Sequence, residues 1–414
     1  MTQPLRHVVL QWPRLGPYHL ARLAALGRAA AARGIRVTAL ETARREAVYA
    51  DVRVEGGDDG FERVTLFEDA TFEAIPPRAV HAAVTAALDR LQPDAVGVNS
   101  YSLPDALATL AWARRHRRVA IGMTDTKADD GPRSRWREAL KARLVGQFDA
   151  MLLAGTPQKA YFRSLGFDGP IELGYDVVDN DHFARGADAA REAGSLAPHL
   201  LCVARFIGVK NLPRLLDGYA RYHRDALAAG AAPWPLVLVG DGAGRGPLAA
   251  QIEALGLQGA VRLEGFVQID GLPTLYGRAA ALVHPATKDT WGLVVNEAMA
   301  AGLPVLVSRA AGCAADLVRE GVTGWTFDPH DAGAIADALA RMAALPEETR
   351  RAMGDAARLA IADWSPERFA TAFLDLADAG RATSSRGLDP FVGVLLFLLR
   401  ALSRSPTTFH AVRD

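Results

Sequence analysis

The sequence predicts two α/β domains, each a doubly wound parallel sheet of Rossmann-like form, facing one another across a cleft. Three observations carry this. Short apolar runs of strand length alternate with Ala- and Leu-rich stretches at helical spacing. The alternation occurs twice, once in each half of the chain. At 414 residues the chain exceeds one ordinary domain of ~150 residues.

In the first half, residues 7–12, 36–40, 94–99, 119–123 and 150–155 read as strands buried on both faces. Helices are predicted from Pro17 to Arg33, Pro76 to Leu91, Pro104 to His116 and Arg135 to Leu144. Prolines sit near three of their starts, and Gly34 lies just past one end. In the second half, residues 199–205, 235–240, 260–266, 280–285, 304–308 and 324–327 are the strands. Lys210 to Ala229, Gly246 to Leu255, Val294 to Ala301 and Asp331 to Ala344 are the helices. Residues 174–198 read as the linker. The expected division is 1–183, 184–365 and a tail, 366–414, with a helix over Arg368 to Ala379 and a final apolar helix over 391–402. Ligands in such sheets bind beyond the carboxyl ends of the strands, which makes the cleft the expected site.

Composition narrows the function. Forty-seven basic and forty-seven acidic residues cancel, so no net field favours nucleic acid. Two distant cysteines, Cys202 and Cys313, argue for a reduced, cytoplasmic setting without a disulfide scaffold or zinc cluster. The N-terminus does not read as a signal peptide. The longest apolar run, Phe391 to Leu399, is nine residues, against the ~20 that a spanning helix needs. The expectation is a soluble protein, or one peripheral at the inner face of a membrane through its C-terminal helix.

The chemistry concentrates in HPATKDTWGLVVNEAMAAGLPVLVS, His284 to Ser308. A strand ends, a loop follows, and a helix begins near Gly292, where free N–H groups suit a phosphate. Asp289 and Glu297 are eight positions apart, ~12 Å if helical. They therefore suit two ends of an extended, hydroxyl-rich ligand rather than one atom. Gly302 closes the helix and Pro304 opens the next strand.

This segment resembles the retaining family-4-type glycosyltransferases of the GT-B fold (group 1 glycosyltransferases), whose Glu-x7-Glu motif precedes AMAxGxPV. The resemblance implies Glu297 on the ribose of a nucleotide sugar and Asp289, where the family has Glu, near the donor hexose. Gly292, Leu293 and Val294 join the donor set. In VARFIGVKNLPRLL, Arg205 and Lys210 match the family's cations on the donor diphosphate. Gly240 and Gly242 of LVGDGAGRG match its G-D-G turn. They miss a dinucleotide fingerprint because the third glycine position is Arg245. Phe266 and Val267 match the backbone that meets the nucleobase, and Gly16 a glycine facing the donor phosphates. His19, Asp125 and Lys127 are acceptor candidates. Asp125, also a catalytic candidate, either binds an acceptor hydroxyl or accepts its proton, or else caps the helix that follows it. Asp129, Asp130 and Arg133 add polarity to that loop. Asp179-Asn180-Asp181 has the D-x-D metal pattern but reads as a turn in the linker.

The implied activity moves a hexosyl group from a nucleotide diphosphate sugar, UDP- or GDP-linked, to a saccharide, lipid-linked or small-molecule hydroxyl, with retention. It implies no metal and no cofactor, and polysaccharide biosynthesis is the expected setting. The alternatives are a sugar-nucleotide epimerase of the same form, a non-catalytic subunit of a glycosylation complex, and, failing the glycine fingerprint, an oxidoreductase.

Overall fold

Apolar runs buried on both faces become central parallel strands, and the computed structural model forms two such sheets. It describes residues 4–46, 60–131, 133–194, 197–381 and 387–393. Among the described residues, the first unit comprises the chain up to Val177 and from Pro366; the second comprises Val178–Ser365. The first boundary lies at 177/178 rather than 183/184 because helix α6, Asn180–Glu192, packs on two helices of the second unit.

The first sheet has the order β3-β2-β1-β4-β5-β6-β7, every pairing parallel. Its strands are β1 His7–Trp12, β2 Arg36–Arg45, β3 Glu62–Thr71, β4 Ala95–Asn99, β5 Val119–Thr124, β6 Ala150–Leu153 and β7 Ile171–Leu173. Helices α1 (Pro17–Ala31), α2 (Pro77–Leu91), α3 (Pro104–Arg115), α4 (Arg135–Val145) and α5 (Thr156–Ser164) connect them. The second sheet runs β10-β9-β8-β11-β12-β13, also parallel throughout. Its strands are β8 Leu200–Val203, β9 Leu236–Val239, β10 Val261–Glu264, β11 Ala281–His284, β12 Val305–Ser308 and β13 Gly324–Phe327. Helices α7 (Leu212–Ala228), α8 (Arg245–Ala254), α9 (Leu272–Arg278), α10 (Leu293–Ala300), α11 (Ala314–Leu317), α12 (Ala332–Ala343) and α13 (Glu347–Ile361) belong to it. These are the two Rossmann-like domains of the GT-B fold. In each, strand order reverses once, between β1 and β4 and between β8 and β11, and the switch point is where such sheets place ligands.

Several elements escape prediction. Strand β3 (ERVTLFEDAT) is a half-exposed edge, so charges interrupt its pattern. The predicted linker contains α6, whose Asp179 caps it by accepting from the His182 N–H at 2.9 Å. The D-x-D triplet is thus a helix start, not a linker turn. The helix predicted over Arg368 to Ala379 is present as α14, Pro366–Gly380, and it returns to the first unit, where it packs on α1 and on β5, β6 and β7. The predicted C-terminal helix lies outside the described residues from 394 on. Among the described residues no helix is long and apolar enough to cross a membrane.

At the first unit's switch point a carboxyl is fully buried. Asp105, in the first turn of α3, accepts from Gln11 Nε2 at 2.6 Å, Thr42 Oγ1 at 2.8 Å and the Ala106 N–H at 2.9 Å. Burial outweighs these bonds and pushes its pKa up to about 6. A folded pKa above the unfolded value gives stability that is present at low pH and lost as pH rises through about 6. Asp105→Asn is expected to flatten this part of the pH profile, read as Tm between about pH 4 and 7.

Candidate active site

The second unit's switch point brings the tail of β8 beside the tail of β11. The chain after β8 turns through a short 3-10 segment, Gly208–Lys210, to Asn211. Asn211 Nδ2 donates to the carbonyls of Pro285 at 2.9 Å and Pro329 at 2.8 Å, and the Thr287 N–H donates to Val209 O at 3.0 Å. These bonds tie the two loops and set Lys210 over Asp289. Lys210 Nζ lies 2.5 Å from Asp289 Oδ2, and His284 Nε2, from the end of β11, lies 2.9 Å from the same oxygen. Burial opposes ionisation of Asp289, but the Lys210 charge and the His284 contact overcome it and hold the carboxyl well below the usual range. Asp289 is therefore an anion at any working pH. An ammonium has three donors, so Lys210 keeps capacity beyond its bond to Asp289.

Gly292 is the N-cap of α10, with φ +109°. A Cβ there would meet His284 Nε2 at 3.3 Å and Cys313 Sγ at 3.5 Å, in a backbone region that L side chains avoid. Leu293 and Val294 occupy the first two helical positions, half-buried, and their N–H groups precede the helix's own bonding. Glu297, one turn on, is fully buried, and its Oε2 accepts from Tyr276 Oη of α9 at 2.6 Å. Tyr276→Phe removes a hydrogen bond to a buried carboxyl group. We expect it to cost about 1–3 kcal/mol, read as a lower Tm in calorimetry.

The G-D-G turn supports the loop that carries Arg205. Gly240 has φ +136°, and a Cβ on it would lie 2.0 Å from Ala204 O; one on Gly242 would lie 2.8 Å from Phe206 O. The Phe206 N–H donates to Asp241 O, and the Gly244 N–H to Phe206 O, each at 2.8 Å. Phe206 is buried and Arg205 beside it is exposed. Phe266 is 46% exposed and Val267 half-buried, in the chain following β10.

The acceptor candidates belong to the first unit. Gly16 is the N-cap of α1, and its N–H donates to His19 Nδ1 at 2.9 Å. Burial, helped by Arg22 and Arg14, lowers the His19 pKa well below its ordinary value, so the ring is neutral and serves the helix start. Asp125 is half-buried at the end of β5. It does not cap the following helix, because α4 begins ten residues later behind Ser134. Lys127 is buried: its Nζ meets Asp129 Oδ1 at 2.5 Å and Asp130 Oδ1 at 3.5 Å, so its charge is taken up within its own loop. Sequence reasoning missed His284, Asn211 and Tyr276. His284 ends a buried apolar strand, and that mismatch was the available signal.

Residues 191–360 match the family model described as Glycosyl transferases group 1. The chain is 37% identical over 120 residues to the sulfoquinovosyl transferase SQD2 of Arabidopsis thaliana, an alignment covering 28% of this chain and 23% of that protein. It is 28% identical over 188 residues to the alpha-D-kanosaminyltransferase of Streptomyces kanamyceticus, covering 45% and 47%. With a D-inositol 3-phosphate glycosyltransferase of Mycolicibacterium paratuberculosis it shares 27% identity over 267 residues, covering 63% and 59%. The matched part is thus less than two thirds of each of these relatives. Among solved structures, sucrose-phosphate synthase from Thermosynechococcus elongatus superposes with a TM-score of 0.70 at 20% identity, covering 91% of this chain and all of that one (100%). HepE of Anabaena, solved with UDP and glucose, gives 0.66 at 17% identity, covering 89% and 98%. The structural likenesses establish the fold.

Proposed function

We propose that the chain is a glycosyltransferase that moves a hexosyl group from a nucleotide diphosphate sugar to a hydroxyl acceptor with retention of configuration. The observation that carries the proposal is the Lys210–Asp289–His284 cluster at the β8/β11 switch point, beside the start of α10 and inside the matched segment. Lys210, with Arg205 and the N-terminus of α10, would neutralise the diphosphate as it leaves. The departing phosphate oxygen would take the acceptor's proton on the face from which the sugar is attacked, which needs no covalent intermediate. No resident metal enters this scheme. Asp289 would meet the hexose with its remaining oxygen while holding Lys210. Glu297, seated on Tyr276, would take the ribose. The glycosyl-transferring names of the relatives support the reaction class, and HepE's UDP and glucose support the donor class.

A panel of UDP- and GDP-hexoses, screened by thermal shift and then by turnover with saccharide, lipid-linked and small-molecule acceptors, tests the reading. A tight donor raises Tm by mass action. An epimerised nucleotide sugar formed from donor alone would replace the transferase with an epimerase; no donor binding at all would leave a non-catalytic subunit.

Asp289→Glu restores the family's longer reach. One methylene in a specificity contact is worth about 1–3 kcal/mol. The expected result is a change of about tenfold or more in the ratio of kcat/KM between two hexose donors; an unchanged ratio removes Asp289 from donor choice.

A further inference from the structure

The first unit carries an exposed aromatic and cationic face that the proposed chemistry does not use. Helix α4, RWREALKARLV, exposes Arg135, Trp136, Arg137, Ala139 and Arg143. Trp136 is 66% exposed, among the most exposed large apolar side chains described. Arg133 and Lys141 are occupied by Glu138, at 3.2 and 2.9 Å. Among the described residues no carboxylate pairs with Arg135, Arg137 or Arg143. Instead, the Arg137 guanidinium lies 5.3 Å from the Trp136 ring centre, and that of Arg143 lies 4.6 Å from the ring centre of Phe391, itself 50% exposed.

Phe391 reaches α4 because its segment is anchored there. Val392 is buried with Leu107 and Leu144 of α3 and α4, Leu388 packs against them, and the Asp389 N–H donates to Gln147 Oε1 at 3.1 Å. Asp389, the acidic group of this segment, accepts from the Val392 N–H at 3.1 Å. Phe391 thus stands at the cationic face of α4.

We infer that α4 and Phe391 form a docking surface for an anionic phospholipid bilayer. Charge complementarity argues for it, since three uncompensated arginines face outward. The chemistry of the face favours lipid over an acidic protein. Arginine stacked on exposed aromatic rings suits the headgroup level, where an amphipathic ring has one side apolar and the other wet.

Co-sedimentation of the full chain with vesicles tests this without requiring turnover. Phosphatidylcholine vesicles carrying about one third phosphatidylglycerol should retain the protein, and pure phosphatidylcholine vesicles should not. Each of Arg135→Gln, Arg137→Gln and Arg143→Gln should weaken partition by roughly fivefold, and raised salt should mimic them. Trp136→Ala should weaken binding with little salt dependence. These side chains are exposed, so circular dichroism should be unchanged. No sedimentation with either vesicle, binding that survives all four variants, or retention on heparin without vesicle binding would each overturn the inference.

Discussion

Lys210→Ala is expected to lower kcat/KM for the nucleotide sugar by a factor between about thirty and several thousand, the equivalent of ~2–5 kcal/mol. Two losses combine. On the proposed reading, the leaving diphosphate would lose a positive charge at the point where its own charge develops. Asp289, with a side chain only 13% exposed, loses the cation 2.5 Å away and keeps His284 as its remaining neighbour in this cluster. A buried anion without its partner is costly, so the carboxyl would re-orient or take up a proton. Lys210→Arg should not rescue fully, because a planar fork replaces a compact ammonium in a loop fixed by Asn211. Steady-state kinetics with one donor decides the matter. Wild-type kcat/KM in Lys210→Ala would remove this residue from the site.

The second large effect is on stability. Gly240→Ala is expected to destabilise the second unit by about 3–5 kcal/mol, from backbone strain at positive φ together with overpacking. The new Cβ would sit 2.0 Å from the Ala204 carbonyl, so the backbone on one side or the other must move. Either shift disturbs the packing of the turn against the 204–206 loop bearing Arg205, so activity should fall in the folded fraction as well. Gly246→Ala is the control, because no atom lies within 4 Å of its added Cβ and the residue is helical. Scanning calorimetry should show a drop on the order of 10 °C for the first and almost none for the second.

The sheets were legible because a parallel strand buried on both faces is written as a mostly apolar run. HVVLQW and ALVH are such runs, and both are strands of fully buried residues. ERVTLFEDAT was not legible, since an edge strand can carry charge wherever solvent reaches it. Helix α6 was hidden by its opening Asp179-Asn180-Asp181, which describes a turn and a helix cap equally well. At the site, Lys210, Asp289 and Glu297 stood out by motif. Their partners did not. The contact of Lys210 with Asp289 spans 79 positions and exists because β8 lies next to β11, an order that no local pattern encodes. Tyr276 gave no signal, as an aromatic in a short helix reads as core until its hydroxyl is seen on Glu297. Lys127 likewise has partners that its motif did not announce: the two carboxylates that make its loop polar pair with it.

The return of α14 to the first unit sets an order for synthesis. Residues 178–365 form one uninterrupted insert, whereas the first unit needs both the segment before it and the segment after it. Emerging from the ribosome, the insert has all of its strands before the first unit has its last helix. Until then the face of α1 and the strands β5 to β7 that α14 covers stay open, and Arg28 and Arg33 wait for Glu367 and Asp378. A nascent chain stopped shortly after residue 365 should therefore hold a protease-resistant second unit and a cleavable first one. Release of some twenty further residues should close it.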